Sequence, residues 1–181
     1  MSTGRGPVEL LAAAIRSLAR LGLALAAVAM LASLALIAYA VFQRYVLGTP
    51  VPWTDELVGY LLVAMVMLAA ADALLQGDHI SVDIVTDRLS AHGKRITLMV
   101  GLVAVAITGV LIFVEGLGMV SFSRMVGLRS NGYLATPMWV PQLFVPIGGA
   151  SLTLCALVAL GHAWRNPEEP PPKAHLPQGL E

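Results

Sequence analysis

Four apolar stretches separated by short polar links set the pattern of this chain. Leu21 to Gln43 runs 23 residues without a charge between Arg20 and Arg44. Leu57 to Gln76 is apolar apart from Asp72, and Ile96 to Val114 supplies 19 more uncharged residues between Arg95 and Glu115. The fourth stretch falls within Met138 to Trp164 and contains Pro141 and Pro146, which should kink or delay its helix. About 20 apolar residues in a helix cross the hydrocarbon layer of a bilayer, so each stretch is long enough to span it with some tilt. The pattern predicts an all-α integral membrane protein with four transmembrane helices, at about 21–43, 57–76, 96–118 and 138–162, in one membrane domain over 1–165. The tail over 166–181 is polar and proline-rich and is expected to be a disordered end.

Composition supports this picture and removes several alternatives. Of 181 residues, 57% are hydrophobic and only 12% charged, far from the usual make-up of a soluble enzyme. Lys plus Arg balance Asp plus Glu at 11 each, leaving no basic excess for nucleic acid. The lone Cys155 excludes an intramolecular disulfide and a CxxC metal site. Ala38-Tyr39-Ala40 resembles a signal-peptidase site, but the apolar run before it is longer than the roughly 7–15 residues of a signal peptide, so the first helix is expected to stay.

Orientation follows from the distribution of Lys and Arg, which accumulate on cytoplasmic loops. The N-terminal segment, the middle link and the tail hold eight: Arg5, Arg16, Arg20, Arg88, Lys94, Arg95, Arg165 and Lys173. The other two links hold three: Arg44, Arg124 and Arg129. Both termini are therefore expected in the cytoplasm.

The first outer link, Gly48 to Leu57, concentrates chemistry. Pro50 and Pro52 predict an extended entry, Trp53 a headgroup anchor, and Thr54 an N-cap with Asp55 and Glu56 in the first helical turn. A capped helix start and a partner-docking surface both account for these residues. Arg44, on the same side, has Asp55, Glu56 and Glu115 as candidate partners. Asp55 and Glu56 are adjacent and point about 100° apart on a helix, so they do not converge as a catalytic acid–base pair.

Asp72 lies one turn from the end of its span, where it is expected to snorkel to the surface or face another helix, chiefly as a structural group. The middle link fits a strand through Ile80, Val82 and Ile84 or a short interfacial helix. The helix is favoured beside a membrane. That helix aligns His79, Asp83 and Asp87, but i to i+8 spans about 12 Å, too far for one metal ion. All four histidines lie at or beyond span ends, so no haem is held between helices. No catalytic site, metal or cofactor is expected. Gly101, Gly109, Gly148, Gly149 and the alanines 69–71 and 73 read as close-packing positions.

The stretch Phe42 to Ile84, with Arg44, Tyr45, Pro50, Trp53, Glu56, Leu57, His79, Ile80, Val82 and Asp83, resembles a family pattern R-Y-x-x-x-x-P-x-x-W-x-E-E-L followed by a helix and H-I-x-V-D. A second patch, Pro137, Trp139, Pro146 and Gly148, is similar to that family's fourth-helix entry. The family is the small membrane subunit of tripartite ATP-independent periplasmic (TRAP) transporters, the DctQ-like family. Asp55 stands where Glu is commoner, and Ala69 to Ala71 where a Gly-Ala pair is common, changes that alter neither charge nor packing class.

The resemblance implies a multi-pass protein of the bacterial inner membrane that braces a large membrane subunit. That subunit moves an organic anion, often a carboxylate, in an ion-coupled and typically sodium-driven step, after delivery by a periplasmic binding protein. The expected partners are thus those two proteins and membrane lipid, and the expected role is not enzymatic. Arg44, Tyr45, Pro50, Trp53, Asp55, Glu56, Asp72, His79, Asp83, Pro137, Trp139 and Pro146 are the candidate interface or structural residues. The competing reading is a self-associating four-helix channel or transporter, which requires polar residues recurring on one face of the spans.

Overall fold

A computed structural model describes residues 7–76 and 91–165. The chain folds into α1 (Pro7–Tyr45), α2 (Trp53–Gln76), α3 (Ala91–Val126), a single turn α4 (Trp139–Gln142) and α5 (Phe144–Arg165). His79, Asp83 and the expected interfacial helix of the middle link lie outside the described residues, as does the tail from Asn166.

Among the described residues four segments are long and apolar enough to cross a membrane: Ala12–Tyr45, Trp53–Gln76, Gly93–Val126 and Trp139–Trp164. The helices run past the expected spans because a charged residue does not end a helix. It marks where the surroundings change from hydrocarbon to headgroup and water. Arg16 and Arg20 sit exposed within α1, and Arg124 lies in the last turn of α3. At 1.5 Å per residue α1 is about 58 Å long, well beyond a hydrocarbon layer of roughly 30 Å.

The prolines break the fourth span as expected. Pro146 has no N–H for the carbonyl of Gln142, and the chain turns at Leu143 before the helix resumes. The break is bridged by Leu143 N–H to Val140 O and Ile147 N–H to Leu143 O, both 3.3 Å.

The helices form an open row. α1 packs on α2, α2 on α5 and α5 on α3, whereas α1 touches α5 only lightly and makes no substantial contact with α3. The N-terminus of α1, the C-terminus of α2, the N-terminus of α3 and the C-terminus of α5 share one end, the termini end. The α1–α2 and α3–α4 links share the other, the loop end.

Lipid is as apolar as leucine, so helices in a membrane gain little by hiding large side chains from it, and close packing of small residues drives their association. The core follows that rule: among the described residues, six of the ten buried hydrophobic ones are alanine. On α1 the buried positions Ala19, Gly22, Ala26, Ala29 and Ser33 alternate by three and four, a narrow seam facing α2. A Cβ on Gly22 would lie 2.7 Å from the Leu68 carbonyl oxygen, so the two backbones approach closely there. The α3–α5 seam is as close, since a Cβ on Gly149 would lie 2.7 Å from Phe113 N and 2.9 Å from Gly109 O. Gly148 likewise abuts Met67, as expected, but Gly101 faces open space and has no packing role within the chain.

Several hydroxyls in the spans satisfy themselves locally. Ser33, Thr108, Ser151 and Thr153 donate to carbonyls three or four residues earlier, at 2.8–2.9 Å. Asp72 turns inward rather than snorkelling: it is 5% exposed, and the Gln76 side-chain amide donates to its carboxylate.

Candidate functional site

Of the described candidate residues, all but Asp72 lie toward the loop end, where two links are tied together. α1 ends in a wide turn, with Gly48 at φ +67° and Thr49 N–H donating to Gln43 O at 3.0 Å. Positive φ costs glycine little, which is why the chain turns there. Gln43 joins the layers of this turn. Its amide donates to the Tyr39 hydroxyl at 2.8 Å, and its carbonyl oxygen accepts from Thr49 Oγ1 at 3.0 Å. The Tyr39 ring lies 6.5 Å from that of Trp53, inclined at 40°, so the exit of α1 is fastened to the entry of α2.

α2 begins at Trp53, one residue before the expected cap. Thr54 is 1% exposed and its hydroxyl donates to Val51 O at 2.6 Å. The hydroxyl therefore closes the turn at Pro52 and does not cap the helix.

The third link carries its own hydrogen bonds. Gly127 at φ +65° ends α3 in a Schellman motif, with Leu128 N–H to Ser123 O at 2.9 Å and Gly127 N–H to Arg124 O at 3.3 Å. Beyond it the chain doubles back: Ser130 N–H donates to Thr136 O at 2.9 Å, and Met138 N–H to Leu128 O at 3.0 Å, around an antiparallel bridge of Arg129 with Pro137. At the base, the Arg124 guanidinium stands over the Trp139 ring, 5.4 Å from its centroid.

Glu56 joins the two links. One carboxylate oxygen accepts the Tyr60 hydroxyl at 2.5 Å, and the other accepts the Leu134 backbone N–H at 3.1 Å, across 78 positions of sequence. The Ser130 hydroxyl also approaches it, and Gly132 lies so close that a Cβ there would overlap the carboxylate. A carboxylate bonded to a backbone amide makes a strong, charge-assisted link, so Glu56 works as a latch between α2 and the third link.

The other expected residues divide. Tyr45 (78% exposed), Arg44, Pro50 and Asp55 lie on the surface of the same end. Among the described residues Arg44 forms no ion pair with Asp55, Glu56 or Glu115; Glu56 is engaged by Tyr60 and Leu134 instead. Pro137 and Trp139 frame the start of α4. Pro146 packs lower down, where a Cβ on Gly116 would lie 2.9 Å from its Cδ. Asp72 belongs to the opposite end, 16 residues or about 24 Å along α2 from Glu56.

Tyr39, Gln43, Thr49, Tyr60 and Leu134 complete the arrangement without having been singled out by sequence. Tyr39 with Gln43, and Glu56 with Tyr60, are i, i+4 pairs that helical spacing makes legible. The Leu134 contact comes from a backbone amide, which carries no residue-type signal.

The fold and this end define a class: a multi-pass helical membrane protein whose distinctive residues tie its own links together. Residues 33–166 match the family described as tripartite ATP-independent periplasmic transporters, DctQ component, and the chain belongs to that family. Membership places it in the bacterial inner membrane, in a class of transporter components and not of enzymes. A stretch of 117 residues, 64% of this chain, is 31% identical to the C4-dicarboxylate TRAP transporter small permease protein DctQ of Rhodobacter capsulatus. That match spans about half, 51%, of the relative's length.

Proposed function

We propose that this chain is the small permease subunit of a TRAP transporter, bracing a large membrane subunit during sodium-coupled uptake of an organic anion. The anion is of the carboxylate class, and a periplasmic binding protein delivers it. Both termini face the cytoplasm, in line with the eight-to-three distribution of Lys and Arg, so the latched loop end faces the periplasm.

The observation that carries this reading is the open row. A closed bundle would present only lipid-facing surface, whereas a row leaves its edge helices with one partner each. In the most apolar window of α3 only 11% of residues are buried, against 28% in that of the fourth span. Leu111 and Val114 on α3 are 58% and 55% exposed, and Glu115 stands exposed beside them. A carboxylate facing hydrocarbon costs up to roughly 2.5–3.5 kcal/mol, which a donor on a partner helix relieves. The name of the bacterial relative supports a C4-dicarboxylate as the carboxylate in question.

A tagged copy purified from its native membrane in mild detergent, with the associated proteins identified by mass spectrometry, tests the reading. Recovery of a larger polytopic protein near one-to-one is the expected result. Recovery of the chain alone, as a stable homo-oligomer, contradicts it and favours a self-associating channel.

A further inference from the structure

At the base of the third link, between the last turn of α3 and the start of α4, is an open recess of about 280 Å³. Ser123, Arg124, Arg129 and Trp139 are among its walls. We propose that it binds the phosphate headgroup of an anionic phospholipid.

Charge is the first argument. Neither Arg124 nor Arg129 forms an ion pair among the described residues, so two full positive charges border one recess. The Arg124 guanidinium carbon stands 5.4 Å from the Trp139 ring centroid, and the planar N–H edge of a guanidinium matches two phosphate oxygens. The C-terminus of α3 opposes an anion with roughly half an elementary charge, which the two arginines outweigh, and its last carbonyls are already bonded by the Schellman turn.

The second argument is a hydroxyl in the wall. Ser33, Thr108, Ser151 and Thr153 each bond to a carbonyl of their own helix. Ser123 is 1% exposed and lines the recess. Its hydroxyl gives the wall a neutral donor suited to a phosphate oxygen.

Position selects a lipid over a soluble anion. The recess lies where two apolar spans end, with a tryptophan in its wall, which is the depth of headgroups. The same turns of α3 present Phe122, Met125 and Val126, 57%, 79% and 56% exposed, as apolar surface for acyl chains.

The test uses the full-length protein, with any subunits that accompany it, purified and delipidated in mild detergent. Native mass spectra and thermal unfolding are recorded with dioleoylphosphatidylglycerol and, separately, with inorganic phosphate. The wild type is expected to retain phosphatidylglycerol and gain thermal stability from it, with little response to phosphate. Arg124→Gln with Arg129→Gln should weaken lipid binding roughly tenfold or more, Ser123→Ala less, and the paired lysine variant should keep most of it. Unfolding of each variant without lipid separates misfolding from lost binding, and Ser123→Ala keeps the test open if the paired glutamine variant fails to fold. Equal lipid retention by wild type and variants overturns the proposal. So does an equal response to inorganic phosphate, or a glutamine variant that keeps lipid but sheds an acidic partner protein.

Discussion

At the termini end Ala19, Ala71, Leu74, Leu102, Cys155 and Ala156 meet with Leu98, Leu152 and Leu160 around them, an apolar cluster packed by van der Waals contact. At the loop end the same helices are joined by Gln43, Thr49, Glu56 and the amide of Leu134, and the contact is almost wholly hydrogen bonding. The difference follows what meets at each end. Among the described residues the termini end brings together packed helix faces, where small residues approach closely without unsatisfied polar groups, whereas the loop end brings together two links, where water competes and ties need charge or several bonds at once. One end sets the spacing of the helices, and the other sets which links lie together. Among the described residues, the motif positions from Arg44 to Leu57 and at Pro137 and Trp139 lie at the second end.

The largest expected effect lies in the seam. Gly149→Leu would drive a side chain into backbone atoms of α3, and overpacking of this kind costs roughly 1–3 kcal/mol or more. Thermal unfolding in detergent should show it, while Gly118→Leu, at a position with open space around it, should leave unfolding unchanged. Equal losses in both would break the distinction between inner seam and outer face.

Next is the latch. Glu56→Ala removes the acceptor of the Leu134 amide, so hydrogen exchange over 130–136 should accelerate several-fold while exchange in α5 stays as in the wild type. Gly132→Ala should act in the same direction by displacing the carboxylate, and acceleration in both regions together would mean that the two ends are not separate.

The smallest effect is expected at Gln43→Ala, whose bonds to Tyr39 and Thr49 are solvent-exposed. A loss of about 0.5–1 kcal/mol in thermal unfolding would fit, and a loss as large as that of Gly149→Leu would contradict the ranking.

Much of the fold was legible in the sequence because four apolar runs with charges at their ends leave little choice in a bilayer. The helix lengths were less so, since Arg16 and Arg20 flag an interface and α1 continues straight through it. At the loop end Trp53 and Glu56 were visible as residues, but their use was not. Whether Glu56 pairs with Arg44 or with a backbone amide depends on how the third link folds back. Thr54 fits the expected cap in type and place, and only the turn at Pro52 diverts its hydroxyl to Val51. Helical periodicity did not reveal the row, because four helices with narrow small-residue seams can close into a ring as readily as lie side by side.

The central claim is that the outward face of α3 is made for another membrane protein. Site-specific photo-crosslinking in the native membrane tests it most directly, with a photoreactive residue replacing Leu111, one turn from Glu115, and a second replacing Leu31 on the exposed side of α1. The account predicts an adduct from Leu111 with a larger polytopic membrane protein, lost or weakened when Glu115 is changed to Leu. Adducts from both positions only with lipid, or only with a second copy of this chain, would contradict it.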